Sequence, residues 1–137
     1  MGSRRGFRAL AFRVIVAGSR GFSNYDLMCS RLDVLLTNRL PDVTIVSGMA
    51  RGADLLGLRY AHEHGLHRSE YPADWRKLGK QAGFIRNEEM ASNADALVAF
   101  WDGHSRGTKH MIDTARRKGL IVRVVRYKEE ETYRLDI

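Results

Sequence analysis

Three stretches of the chain set glycine beside a hydroxyl side chain and an arginine: GSRGFS (18–23), SGMARGAD (47–54) and DGHSRGT (102–108). An arginine fork matches phosphate oxygens, and glycine lets an anion lie close against backbone N–H groups. The residues this chemistry selects are Gly18, Ser19 and Arg20 as one phosphate wall; Ser47, Gly48 and Arg51 as backbone and side-chain contacts; and Ser105, Arg106, Gly107 and Thr108 at the start of a helix. Asp54 would orient the second loop or touch a ribose. Glycine also serves tight turns with no ligand at all, so any one loop is a weak signal and the three together are a stronger one. The chain has neither a Walker loop with GK[ST] nor a dinucleotide fingerprint with its acidic ribose partner.

Each stretch follows a short apolar or β-branched run and precedes a segment of helical period, the pattern of an α/β fold with a parallel sheet. The expected strands are Arg13 to Gly18, Val43 to Gly48, a weaker Arg68 to Ala73, Ala96 to Trp101, and Leu120 to Tyr127. Between the first two, Leu27, Met28, Leu32, Leu35 and Leu36 recur at helical spacing behind a capping box, SNYD, with Pro41 beyond the end. Further helices are expected from Ala53 to His64, within Lys80 to Asn93, and from Thr108 to Lys118, the first and last stopped by Gly65 and Gly119. Right-handed crossovers then favour a three-layer sandwich around five mostly parallel strands in the order 3-2-1-4-5. Strands 1 and 4 are neighbours in that order, and ligands of such sheets bind at their carboxyl ends, where the chain reverses direction.

The chain has 137 residues and a formal net charge of +7, from 23 Lys and Arg against 16 Asp and Glu. That length fits one domain, expected over residues 12–128, and the charge favours an anionic partner. Residues 1–11 are expected to be a disordered basic extension with Arg4, Arg5 and Arg8, and 129–137 a tail without readable chemistry. SRRGFRALAF resembles a twin-arginine export signal, but Arg13 interrupts its apolar part, no small-residue cleavage site follows, and it overlaps the first strand. No run reaches the ~18 apolar residues of a membrane span. A single cysteine, Cys29, fits a reducing compartment and a place in the core, so a cytoplasmic location is expected.

The stretches VIVAGSRGF, IVSGMARGAD, YPADW, AGFIRNEEM and FWDGHSRGTKHMID resemble the YspA-type, cpYpsA-related members of the SLOG superfamily, which are related to Lonely Guy phosphoribohydrolases and to the DNA-processing protein DprA. The resemblance runs from about Arg13 to Tyr127. It implies a Rossmann-like fold and a site for nucleotide-derived ligands, NAD-related or ADP-ribose-like, and gives Arg86 and Asn87 of RNEEM a ligand-facing role, with Arg86 neutralising charge. Against the Lonely Guy motif GGxGTxxE, Gly107 and Thr108 match, but Met111 stands where the catalytic glutamate would be. The segment SGMARGADLLGLRYAH is similar to the SGxAxGID segment of DprA, whose family binds single-stranded DNA.

Two alternatives follow from those relationships. A nucleic-acid binder would use the basic arm with Arg116, Arg117 and Lys118, and glycosidic cleavage of a nucleotide would need an acid or base, for which Asp74 and Asp102 are the weak candidates. Trp75 and Trp101 at strand ends would stack on a base or fill the core. His62 and His64, two apart on a helix, face differently and argue against a shared metal, so no metal is expected; His104 offers an anion donor. Homo-oligomerisation through helices would suit the fold, and no interface residue can be read.

Overall fold

The computed structural model describes residues 11–128. The expectations for Arg4, Arg5 and Arg8 and for the C-terminal tail lie outside the described residues.

Five parallel strands form one sheet: β1 (Phe12–Gly18), β2 (Val43–Ser47), β3 (His67–Glu70), β4 (Ala96–Trp101) and β5 (Ile121–Arg126), in the order β3-β2-β1-β4-β5. The helices are α1 (Tyr25–Leu35), α2 (Ala53–Glu63), a single turn α3 (Trp75–Leu78), α4 (Ala82–Ser92) and α5 (Arg106–Arg117). Side chains alternate across β1, and each face buries its own core. Val14 and Val16 meet Met28 and Leu32 of α1 and Ala53, Tyr60 and Ala61 of α2; Ile15 and Ala17 meet Met90 and Ala91 of α4 and Met111, Ile112 and Ala115 of α5. The fold is therefore the expected Rossmann-like three-layer sandwich, with every strand pairing parallel. Cys29 is partly buried and packs against the first core.

Local boundaries differ from the sequence expectation for physical reasons. The cap of α1 is Asn24, whose side chain accepts from the Leu27 N–H at 3.0 Å, one residue after the expected serine. β3 ends at Glu70: Tyr71 still donates to the Ser47 carbonyl at 2.8 Å, but Pro72 has no N–H to continue the ladder. α5 starts two residues early, at Arg106, because the Asp102 carboxylate accepts from the N–H groups of His104 and Ser105 and turns the loop into the helix. Among the described residues, no helix is long and apolar enough to cross a membrane.

Candidate functional site

β1 and β4 pair up to Gly18 and Phe100, so the loops that follow them leave the sheet side by side. A Cβ on Gly18 would lie 2.2 Å from the Phe100 carbonyl oxygen, which is why glycine ends β1. The Ser19 N–H donates to the same carbonyl at 3.0 Å. The buried Ser19 hydroxyl accepts from the Asp102 N–H at 3.2 Å and from the Ser105 hydroxyl at 2.9 Å, locking the first loop to the third. The second loop closes on the first at Gly52, whose φ of +84° and contacts with the Ser19 and Arg20 carbonyls exclude a side chain, since a Cβ would come within 2.5 Å of each oxygen.

Above these loops lies a cleft of about 360 Å³. Gly18 lines it from the end of β1, Ser19 and Arg20 from the first loop, Asp54 from the first turn of α2, Ser105 from the third loop, Gly107 and Thr108 from α5, and Arg86 and Asn87 from α4, so nine of the residues singled out from the sequence share one cavity. Met90 and Met111 form an apolar part of the wall, and Trp75 and Phe84, both about half exposed, form an aromatic part. A smaller adjoining cavity of about 230 Å³, walled by Gly48, Arg51 and Pro72, shares Arg20, Ala50, Trp75 and Arg86 with the first. Arg106 is exposed in the first turn of α5 and lies on neither wall. Ser47 is fully buried, and its hydroxyl donates to the Asp54 carbonyl and accepts from the Met49 N–H, both at 3.1 Å, so it shapes the second loop.

The electrostatics centre on two groups separated by Gly48. Arg86 donates through Nη1 to the Gly48 carbonyl and through Nε to Asn87 Oδ1 at 3.0 Å, and among the described residues it forms no salt bridge. A Cβ on Gly48 would sit 2.5 Å from Arg86 Nη1 and 2.9 Å from Asp54 Oδ2, so this glycine makes room for a guanidinium and a carboxylate. Burial pushes Asp54 up to about 6, against the charges of Arg86 and Arg20 and the N–H groups of Ala50 and Gly18 that hold it down. Desolvation likewise lowers Arg86, which stays charged at any working pH. Among the described residues, Asp54 is the one carboxylate on either cavity wall.

The weak catalytic candidates lie elsewhere. Asp74 is exposed and caps α3 by accepting from the Lys77 N–H at 3.1 Å. Asp102 is engaged by its own loop: burial alone would raise it, but the N–H groups of Ser105 and His104 and the hydroxyls of Ser105 and Ser19 hold it below the usual carboxylate range. His104 is exposed, and Trp101 packs against the second core while donating through Nε1 to the Ser105 carbonyl at 3.1 Å. Asp113 pairs with Lys109 at 2.8 Å on the outer face of α5. Sequence reasoning passed over Lys80 and Phe84 on the cleft wall, and His110 directly behind it, bonded to Asn87 and stacked on Phe84 with ring centres 4.2 Å apart. The aromatic and basic residues lay within reach of the AGFIRNEEM motif; His110 carried no signal.

The fold and loops have counterparts in known proteins. A model of the YspA, cpYpsA-related SLOG family (YAcAr) matches residues 12–78. The gene 61 protein of Mycobacterium phage D29 is 36% identical over 120 residues, which cover 80% of this chain and 93% of the phage protein. DNA processing protein A (DprA) from Streptococcus pneumoniae superposes with a TM-score of 0.67 at 18% identity, over 91% of this chain and 54% of DprA, a likeness of fold in which this chain spans about half of the other. With β1, β2 and their glycine loops inside the matched segment and a relative similar over most of both lengths, the chain belongs to the YspA, cpYpsA-related SLOG family.

Proposed function

We propose that the cleft binds a nucleotide-derived phosphate ligand, of the NAD-related or ADP-ribose-like kind, within one domain spanning residues 12–128. The observation that carries this reading is Arg86: a half-buried guanidinium on a cavity wall, in no salt bridge among the described residues, sharing that cavity with Gly107 and Thr108 of the first turn of α5. A half-buried arginine in no salt bridge, with Asp54 acting on it only across Gly48, is matched by an anion in the cavity. Arg20 would share the phosphate, Gly107 and Thr108 would offer the first turn of α5, and the half-exposed Trp75 and Phe84 suit a base or nicotinamide ring. The cleft's volume suits a small molecule.

A second reading, single-stranded nucleic acid, draws on Arg51, Arg76, Lys80 and Arg106, all exposed and in no salt bridge among the described residues, rather than on Arg117 and Lys118, which pair with Glu88. Salt separates the two. Calorimetry with ADP-ribose should give an affinity that changes gently with salt and falls by about 10- to 100-fold in Arg20→Ala and Arg86→Ala proteins that still fold. An oligonucleotide bound through several phosphates would instead show a slope of about −0.7 per contact in the logarithm of affinity against the logarithm of salt. Steep oligonucleotide binding with no response to ADP-ribose, NAD or AMP would replace the first reading by the second.

A further inference from the structure

Asn87 joins the cleft wall to a histidine that never reaches the cavity, and the donor inventory fixes the direction of every bond in the chain. Arg86 Nε–H can only donate, so the Asn87 atom facing it at 3.0 Å is the carbonyl oxygen Oδ1. The Asn87 amide nitrogen is then turned the other way, toward the Gly107 carbonyl at 3.4 Å and His110 Nδ1 at 3.1 Å. An NH₂ group needs an acceptor, so Nδ1 is unprotonated and the proton sits on Nε2, facing the Thr114 hydroxyl at 3.5 Å.

We infer that His110 is a positioning residue: as a neutral imidazole it orients Asn87, and through Asn87 it holds the Arg86 guanidinium in place for an anion in the cleft. This rests on the nucleotide reading above for its ligand, but not for its geometry. Protonated His110 would present N–H to the Asn87 NH₂, and flipping the amide would only move the donor-on-donor contact to Arg86 Nε. No arrangement of the three satisfies them all once the ring is charged.

The surroundings favour the neutral ring. Burial under Phe84 lowers His110 below the ordinary imidazole value, and Arg117 of α5 acts in the same sense, while Glu88 of α4 and Asp113 of α5 oppose it. Arg117 and Glu88 are themselves paired, which reduces the net field of both. The relay is therefore intact at neutral pH and is lost as pH falls through the His110 value. Asp54 titrates in the acid range with the opposite effect on anion binding, because its protonation removes a negative charge from the cleft.

Three proteins test the relay: wild type, His110→Leu, which cannot accept from Asn87, and His110→Gln, whose side-chain oxygen can. With ADP-ribose as the probe near neutral pH, His110→Leu should bind about tenfold more weakly and His110→Gln close to wild type. As pH falls from neutral through the lowered His110 value, the ratio of wild-type to His110→Gln affinity should fall, a ratio in which the titrations of Asp54 and of the ligand cancel. The imidazole ¹⁵N spectrum of the unliganded wild type should show Nδ1 bare and Nε2 protonated, and the Arg86 Nε–H should exchange faster with water in His110→Leu. A folded His110→Leu protein that binds like wild type, or a ring protonated on Nδ1, would overturn the inference. Should wild type bind no nucleotide probe, the proposed function fails, and the relay stands or falls on the ¹⁵N pattern and the Arg86 Nε–H exchange.

Discussion

On the loop side of the cleft, Gly18 and Gly52 hold their places because a Cβ would strike backbone oxygens 2.2 to 2.5 Å away; on the helix side, Arg86, Asn87 and His110 hold theirs through side-chain hydrogen bonds. The first wall is backbone packed on backbone and belongs to the fold. The second is made of long side chains hung on α4 and α5, whose removal leaves the sheet and both cores intact. Changes on the loop wall should therefore appear mainly as lost stability, and changes on the helix wall mainly as lost binding.

The largest effect is expected at Gly52. Alanine there combines an unfavourable φ with overpacking against Ser19 and Arg20, and urea denaturation should show a loss of roughly 2–4 kcal/mol. A Gly52→Ala protein of wild-type stability would break the distinction between the walls. Asp54 spans the distinction, because it is 5% exposed and bonded to the loops yet lies on the cavity wall. Its carboxyl is raised to about 6 from 3.8, so the folded state favours the protonated form. That contribution is fully present below about pH 4 and is lost as pH rises through about 6, amounting to about 3 kcal/mol. Denaturation of wild type and Asp54→Asn across this window should show wild type losing ground by that order, and parallel curves would remove the buried charge from the account.

Gly48 differs from Gly18 and Gly52, since a methyl group there meets the Arg86 guanidinium and the Asp54 carboxylate rather than backbone. Gly48→Ala should keep most of its stability and weaken ADP-ribose binding by about 10- to 100-fold, as Arg86→Ala should, because both remove hydrogen bonds from a charged donor. Normal affinity in a folded Gly48→Ala protein would leave this glycine a turn residue only. The smallest of these effects belongs to Trp75, 49% exposed: alanine should leave the melting temperature unchanged and cost about tenfold in affinity for ligands with a base, by loss of stacking, and nothing for pyrophosphate.

The same division decides what the sequence revealed. Strand order and the convergence of the three loops were legible because a strand, a glycine loop and a helix are written consecutively, as in VIVAGSRGF. Ser19 and Gly18 were legible as cleft residues for the same reason, though not the lock between Ser19 and Ser105, which depends on the pairing of β1 with β4. Asp102 drew notice as a carboxylate on a loop, but the N–H groups of its own loop hold it, a local turn that a list of residue types does not display. His110 was invisible because its meaning lies in Asn87, 23 residues away and brought near only when α4 packs on α5. Arg51 and Arg106 looked equivalent to Arg20 beside glycine, and only the direction of each loop separates the one on the main cleft wall from the two that lie off it.

Amide and arginine ¹⁵N spectra recorded during titration with ADP-ribose would locate the ligand on the chain. Saturable shifts are expected at Ser19, Arg20, Ala50, Gly107 and Thr108 and at the Arg86 Nε–H, with the opposite layer around Tyr25, Arg59 and Glu63 silent. Shifts confined to that opposite layer, or none at millimolar ADP-ribose, NAD and AMP, would contradict nucleotide binding in the cleft.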